Sequence, residues 1–177
     1  MQRHEIVDEI EQYQIRETIH AQRLKAGLPQ PPQPENSENL FNKWEMLKKQ
    51  YGSIANIPYA ELGDFLDQWT GLVSYARWCE AIADIDTATA REIRDTIKSQ
   101  LYTLKDGGRE LRAAEVSTEP LFREWQRKFT EAQSMHIALR ALREGYEGRA
   151  NAISREITRR GSDMRDTNRG INRGGIA

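Results

Sequence analysis

One cysteine and three histidines are too few, and too scattered, to build the sites that most often betray an enzyme. With Cys79 alone the chain cannot form an intrachain disulfide or a thiolate metal site. An intracellular, reducing setting is expected, with Cys79 as a small packing residue. His4, Glu5 and Asp8 begin like a zinc-protease helix, but Asp8 stands where the second histidine is required. Gly107 and Gly108 are followed by Arg109 and Glu110 rather than Lys and Ser or Thr, so there is no phosphate-binding glycine loop. Asp84 and Asp86 sit two positions apart, which on a helix turns their carboxylates away from each other. No apolar run approaches the roughly 18 residues that a membrane span needs, and the first residues lack a secretory-signal pattern. These absences lead to an expectation of no catalytic residues, no metal, no cofactor and no membrane partner.

Charge of one sign is also missing in bulk: 26 Lys and Arg against 27 Asp and Glu give a net charge of -1, so attraction to nucleic acid must come from local patches. What the chain has is helical periodicity. Apolar residues recur every three or four positions through two long runs. One comprises Leu62, Leu66, Trp69, Val73, Ala76, Ala83, Ala90, Ile93, Ile97, Leu101 and Leu104. The other comprises Phe122, Trp125, Phe129, Ala132, Met135, Leu139, Leu142, Tyr146, Ala150, Ile153 and Ile157. The spacing predicts an all-α protein built on a long antiparallel, coiled-coil-like hairpin, 59–105 and 119–160, with arms about 60 Å long at 1.5 Å per residue.

Breakers set the remaining boundaries. A polar N-terminal helix occupies 1–27 and carries a weak stripe of Ile6, Ile10, Tyr13 and Ile19. A proline-rich linker, 28–36, is read as a semi-rigid spacer. The helical core, 37–160, starts with a short helix bearing Leu40, Phe41, Trp44 and Leu47. Asp106, Gly107 and Gly108 break the first arm, and a connection of about a dozen residues leads to the Ser117–Pro120 start signal of the second. Gly161 is expected to stop that arm and leave 161–177 as a disordered, basic Gly/Arg tail. Phe65, Leu72, Tyr75, Trp78, Ile82, Leu121 and Ile137 lie off the main seams. They need cover from the Trp44 helix or from a second copy, which makes a homo-oligomer the expected state.

Two basic features are candidates for function. Arg91, Arg94, Lys98, Lys105, Arg109 and Arg112 cluster with Tyr102 near the hairpin tip. Cations that follow a backbone beside a ring that stacks on bases are what single-stranded nucleic acid uses. Arg165, Arg169 and Arg173, spaced by four, suit phosphate contact from the tail. The competing reading is that the basic residues close the hairpin. Folding about the tip sets Arg160 opposite Asp64, Arg155 opposite Asp67 and Arg140 opposite Asp84, so Arg149, Arg155, Arg159 and Arg160 are expected against the acidic start of the first arm.

The aromatic opening WTGLVSYARW (69–78), the basic, glycine-terminated end IKSQLYTLKDGG (97–108) and the serine-led second arm (116–160) resemble the UvsY-type recombination mediators of tailed bacteriophages. The resemblance implies a non-enzymatic helical oligomer that helps load a recombinase onto single-stranded DNA, in the host cytoplasm. In that family a pair of basic residues near this helix end contacts DNA. Lys98 matches one of them, and Gln100 stands where the other would be. The tail has no counterpart in that family; with the resemblance and the two basic features taken together, the expected nucleic-acid-binding set is Lys98, Tyr102, Lys105, Arg109, Arg165, Arg169 and Arg173. The partners are single-stranded DNA and a recombinase or other phage protein. Two alternatives share the architecture: a virion structural or head-completion assembly protein, and a small inhibitor or adaptor that binds a host enzyme.

Overall fold

The computed structural model describes residues 15–35 and 37–173, and among these every regular element is helical. Helix α1 spans Ile15–Lys25. A 3-10 turn, Ser37–Asn39, runs directly into α2, Leu40–Tyr51, and a second, Ile54–Asn56, precedes α3, Tyr59–Thr103. Helix α4 covers Arg109–Thr118 and α5 covers Pro120–Arg173. The expected all-α fold is present, and the two long helices, α3 and α5, pack against each other antiparallel. The chain divides into two compact units. One holds the described residues up to Gln30 with Trp78–Arg140, the other Pro31–Arg77 with the chain from Ala141 onward.

In the unit that contains α2, aromatic residues do most of the packing. Trp69 and Ile153 are fully buried, from α3 and α5 respectively, together with Leu62 and with Ile57 from the turn before α3. Helix α2 covers them with Leu40 and Trp44, and Phe41 meets the Trp69 ring edge-on at 5.0 Å. Trp44 stacks at a tilt on Phe65, centroids 5.2 Å apart. Each such fully buried side chain contributes about 1.5–3 kcal/mol relative to exposure. Part of the cover that the off-seam Phe65 and Leu72 required therefore comes from the chain's own Trp44 helix. Gly52 lets α2 end sharply, because its φ of 72° lies in the left-handed region. The described proline segment, 28–35, has no regular secondary structure. It also lies against α3, for Pro31, Pro32 and Pro34 line an open cavity with Leu40, Gly71 and Leu72.

In the other unit, buried Ala83 and Ala90 sit seven residues apart on α3, and larger side chains take over toward the helix end. There Ile93, Ile97, Leu101, Val116 and Trp125 form a second core cluster, with Tyr102, Leu121 and Phe122 packed on it.

Two element boundaries differ from expectation. The connection 105–119 is largely helical: Gly108 supplies the extended N-cap residue of α4, Ala113 and Ala114 favour helix, and buried Val116 anchors it to α3 and α5. The sequence R-E-L-R-A-A-E-V has too few apolar residues for its period to stand out. Helix α5 continues through Gly161 to Arg173. Gly161 has no positive φ, and the Arg159–Asp163 ion pair (2.9 Å) and the Ser162 hydroxyl bond to the Thr158 carbonyl (3.2 Å) bridge it on either side. A glycine inside a helix costs only about 1 kcal/mol, and without a left-handed turn or a following proline it does not stop one. Ile6, Ile10 and Tyr13 of the expected N-terminal stripe, and residues 174–177 of the expected tail, lie outside the described residues.

Candidate nucleic-acid interface

The basic cluster sits in the unit that holds α4. On α3, Arg91 and Lys98 are seven residues apart, with Arg94 and Tyr102 within one turn of the same stripe, and Lys105 follows just beyond the end of the helix. The second core cluster lies beneath, since Ile93, Ile97 and Leu101 turn inward from the same stretch of helix. Arg109 and Arg112 stand one turn apart on α4.

The cations are used differently. Lys98 and Arg109 are exposed and make no ion pair among the described residues. Arg91 is also exposed, with its guanidinium 6.0 Å from the centre of the Phe129 ring. Arg94 lies closer on the same ring, at 4.3 Å, and donates to Asp95 through Nε and Nη2 at 2.9 and 2.6 Å. Lys105 is engaged: its Nζ is 2.6 Å from Glu119 Oε1 and 3.9 Å from Glu115 Oε2. The half-buried Tyr102 ring has one face covered by the Arg112 guanidinium at 4.5 Å. Tyr102 thus offers less open ring to a base than its position in the sequence implies. Arg165, Arg169 and Arg173 fall on the backbone of α5, and their side chains lie beyond the described part of the structure.

The basic residues of the other unit follow neither expected partner set. Arg160 does not pair with Asp64. Its Nη1 and Nη2 donate to the backbone carbonyls of Ile57 and Ile54 at 2.7 and 2.9 Å, and its Nε donates to Glu156 at 2.7 Å. Arg159 takes both oxygens of Glu156, at 2.8 and 3.0 Å. The reason is local: Glu156 is three and four residues away on the same helix and nearly buried, and the turn before α3 presents carbonyls that need donors. Hydrogen bonds from Arg159 and Arg160 hold the Glu156 carboxyl down at about 2, well below the usual carboxylate range. Arg149 donates to the Gly145 carbonyl and lies over the rings of Phe41 and Trp69, at 4.9 and 5.4 Å. An ion pair between the long helices in this unit has the opposite polarity to the pairing expected. Arg77 of α3 binds Glu147 of α5 at 2.7 Å, and hydrogen bonds from Arg77 and Arg143 lower that carboxyl.

Sequence reasoning left Arg112 out of the binding set. It lay in a stretch read as a loop, where nothing placed it on Tyr102, and the helical spacing from Arg109 was the available signal. His136 faces Glu80 and Asp84 at 3.9 and 4.0 Å. No group of three or more His, Cys, Asp or Glu among the described residues is arranged to hold a metal ion, and no described helix is long and apolar enough to cross a membrane. No protein family model, no curated protein and no solved structure matches this chain.

Proposed function

We propose that the chain is a non-enzymatic helical accessory protein that binds single-stranded DNA by its phosphates, in the manner of a phage recombination mediator. The observation that supports this most is the presence of three exposed cations, Arg91, Lys98 and Arg109, with no carboxylate in ion-pair range among the described residues. They lie in a unit where Arg94, Lys105, Arg127 and Lys128 each meet one. Mixed surface charge normally pairs off, and cations held apart from acids are free to replace the counterions of a nucleic acid. A strand lying along the Arg91–Lys98 stripe toward the start of α4 would exchange counterions at three phosphates or more.

The reading has a definite salt signature. Each phosphate contact with a single strand contributes about -0.7 to the slope of log affinity against log salt, so three contacts give about -2. Fluorescence anisotropy with a labelled oligo(dT) across a salt series measures it. Binding that is absent at low salt, or indifferent to salt, contradicts the proposal. Arg91→Gln combined with Lys98→Gln reduces the slope by about 1.4 if these residues touch phosphates.

A further inference from the structure

We infer that Arg112, held in place by Tyr102, is the residue that grips a backbone phosphate at the centre of this surface; the inference rests on the single-stranded DNA reading above. Arg112 belongs with Arg91, Lys98 and Arg109 among the cations of its unit that lack a carboxylate, but unlike them it is half-buried. Arg94 has Asp95, Lys105 has Glu119, Arg127 has Glu131 and Lys128 has Glu124. Arg112 has no carboxylate in range among the described residues, although Glu110 and Glu115 are close to it in sequence. Its Nε is buried without a hydrogen-bond partner, and its guanidinium lies over the Tyr102 ring, 4.5 Å from the ring centre. A buried donor left unpaired is destabilising and rare in folded proteins, so one found at a surface cluster calls for a ligand.

Phosphate fits that requirement. A guanidinium presents five donors in a planar fork that suits two oxygens of one phosphate, and contact with a ring uses none of those donors. Held against the ring rather than by an ion pair, the group keeps its terminal Nη donors for the anion. The neighbours line up with this role. Arg109 precedes Arg112 by one turn of α4, and Lys98 precedes Tyr102 by one turn of α3. Tyr102 has one face on Arg112 and packs on the core cluster of Ile97, Leu101 and Val116, so it acts as a positioning residue and not as a platform for a base. Recognition is then directed at the backbone and indifferent to base identity.

The test uses the full chain, labelled oligo(dT) and anisotropy at low salt, with circular dichroism confirming helicity in each variant. Arg112→Gln is expected to weaken binding about tenfold and to reduce the salt slope by about 0.7. Arg112→Lys keeps the charge but not the fork, and is expected to lose most of the same affinity. Tyr102→Phe retains the ring and should bind like the parent, whereas Tyr102→Leu should reproduce the Arg112 loss. If both Arg112 variants bind within about twofold of the parent while Arg91→Gln and Lys98→Gln weaken binding, the assignment of Arg112 is overturned and the DNA reading stands. If the parent itself does not bind, the DNA reading falls and takes this inference with it.

Discussion

Glu156 meets two guanidiniums, and its protonation state reports on both. Arg159 and Arg160 depress its pKa to about 2, and Arg160 carries the effect across to the turn before α3 by donating to the carbonyls of Ile54 and Ile57. A carboxyl whose pKa is lowered on folding contributes stability that is fully present above the unfolded value, about 4.3, and is lost as pH falls toward the folded one. The melting temperature of the parent should therefore drop between about pH 5 and pH 2 by more than that of Glu156→Gln, which should also melt lower at pH 7. Parallel acid limbs for the two proteins would show that the pair does not stabilise the fold. The same scale explains why the expected Arg160–Asp64 bridge is absent. A partner three or four residues away on the same helix, already half desolvated, is reached at less entropic cost than one on another element.

Among the elements, the glycines separate two kinds of backbone. Gly161 lies inside α5 with ordinary helical backbone and open space where a Cβ would stand, so Gly161→Ala should stabilise the protein by about 1 kcal/mol. Gly107 has a φ of 100°, and a Cβ there would come within 2.9 Å of Leu111 Cδ2, so Gly107→Ala should destabilise it by roughly 1 kcal/mol or more. Thermal melts of the two variants test this directly, and a destabilising Gly161→Ala would mean that the helix ends there after all. The long helices were legible in the sequence because Leu62, Trp69, Ala76, Ala83, Ala90 and Ile97 keep a strict seven-residue period that only a sustained helix produces. Helix α4 was not legible, because ten residues carrying one deeply buried side chain, Val116, give no period to count. Gly161 misled for a related reason. Its composition signals a stop, but a stop needs a left-handed φ, and that is a property of the folded backbone.

On the scale of the whole molecule, a net charge of -1 conceals how the cations are distributed. In the unit built on α2 several are engaged internally, on Glu156, Glu147, backbone carbonyls and the rings of Phe41 and Trp69, while Lys43, Lys49 and Arg155 are exposed without an ion pair among the described residues. In the unit built on α4, Arg91, Lys98, Arg109 and Arg112 have no acidic partner among the described residues. The sequence picked out the cluster near the tip, including Lys98, Tyr102 and Arg109, from composition and spacing alone. It could not separate Lys105, neutralised by Glu119, from Lys98, because that distinction depends on α4 and the start of α5 folding back beside α3. The claim that these cations serve a nucleic acid is tested most directly by the affinity of the intact chain for a single-stranded oligonucleotide as salt is raised. With Arg112 counted, four phosphate contacts predict a slope of log affinity against log salt near -3, falling to about -2 in Arg112→Gln. No binding at low ionic strength, or a slope near zero, would contradict the account.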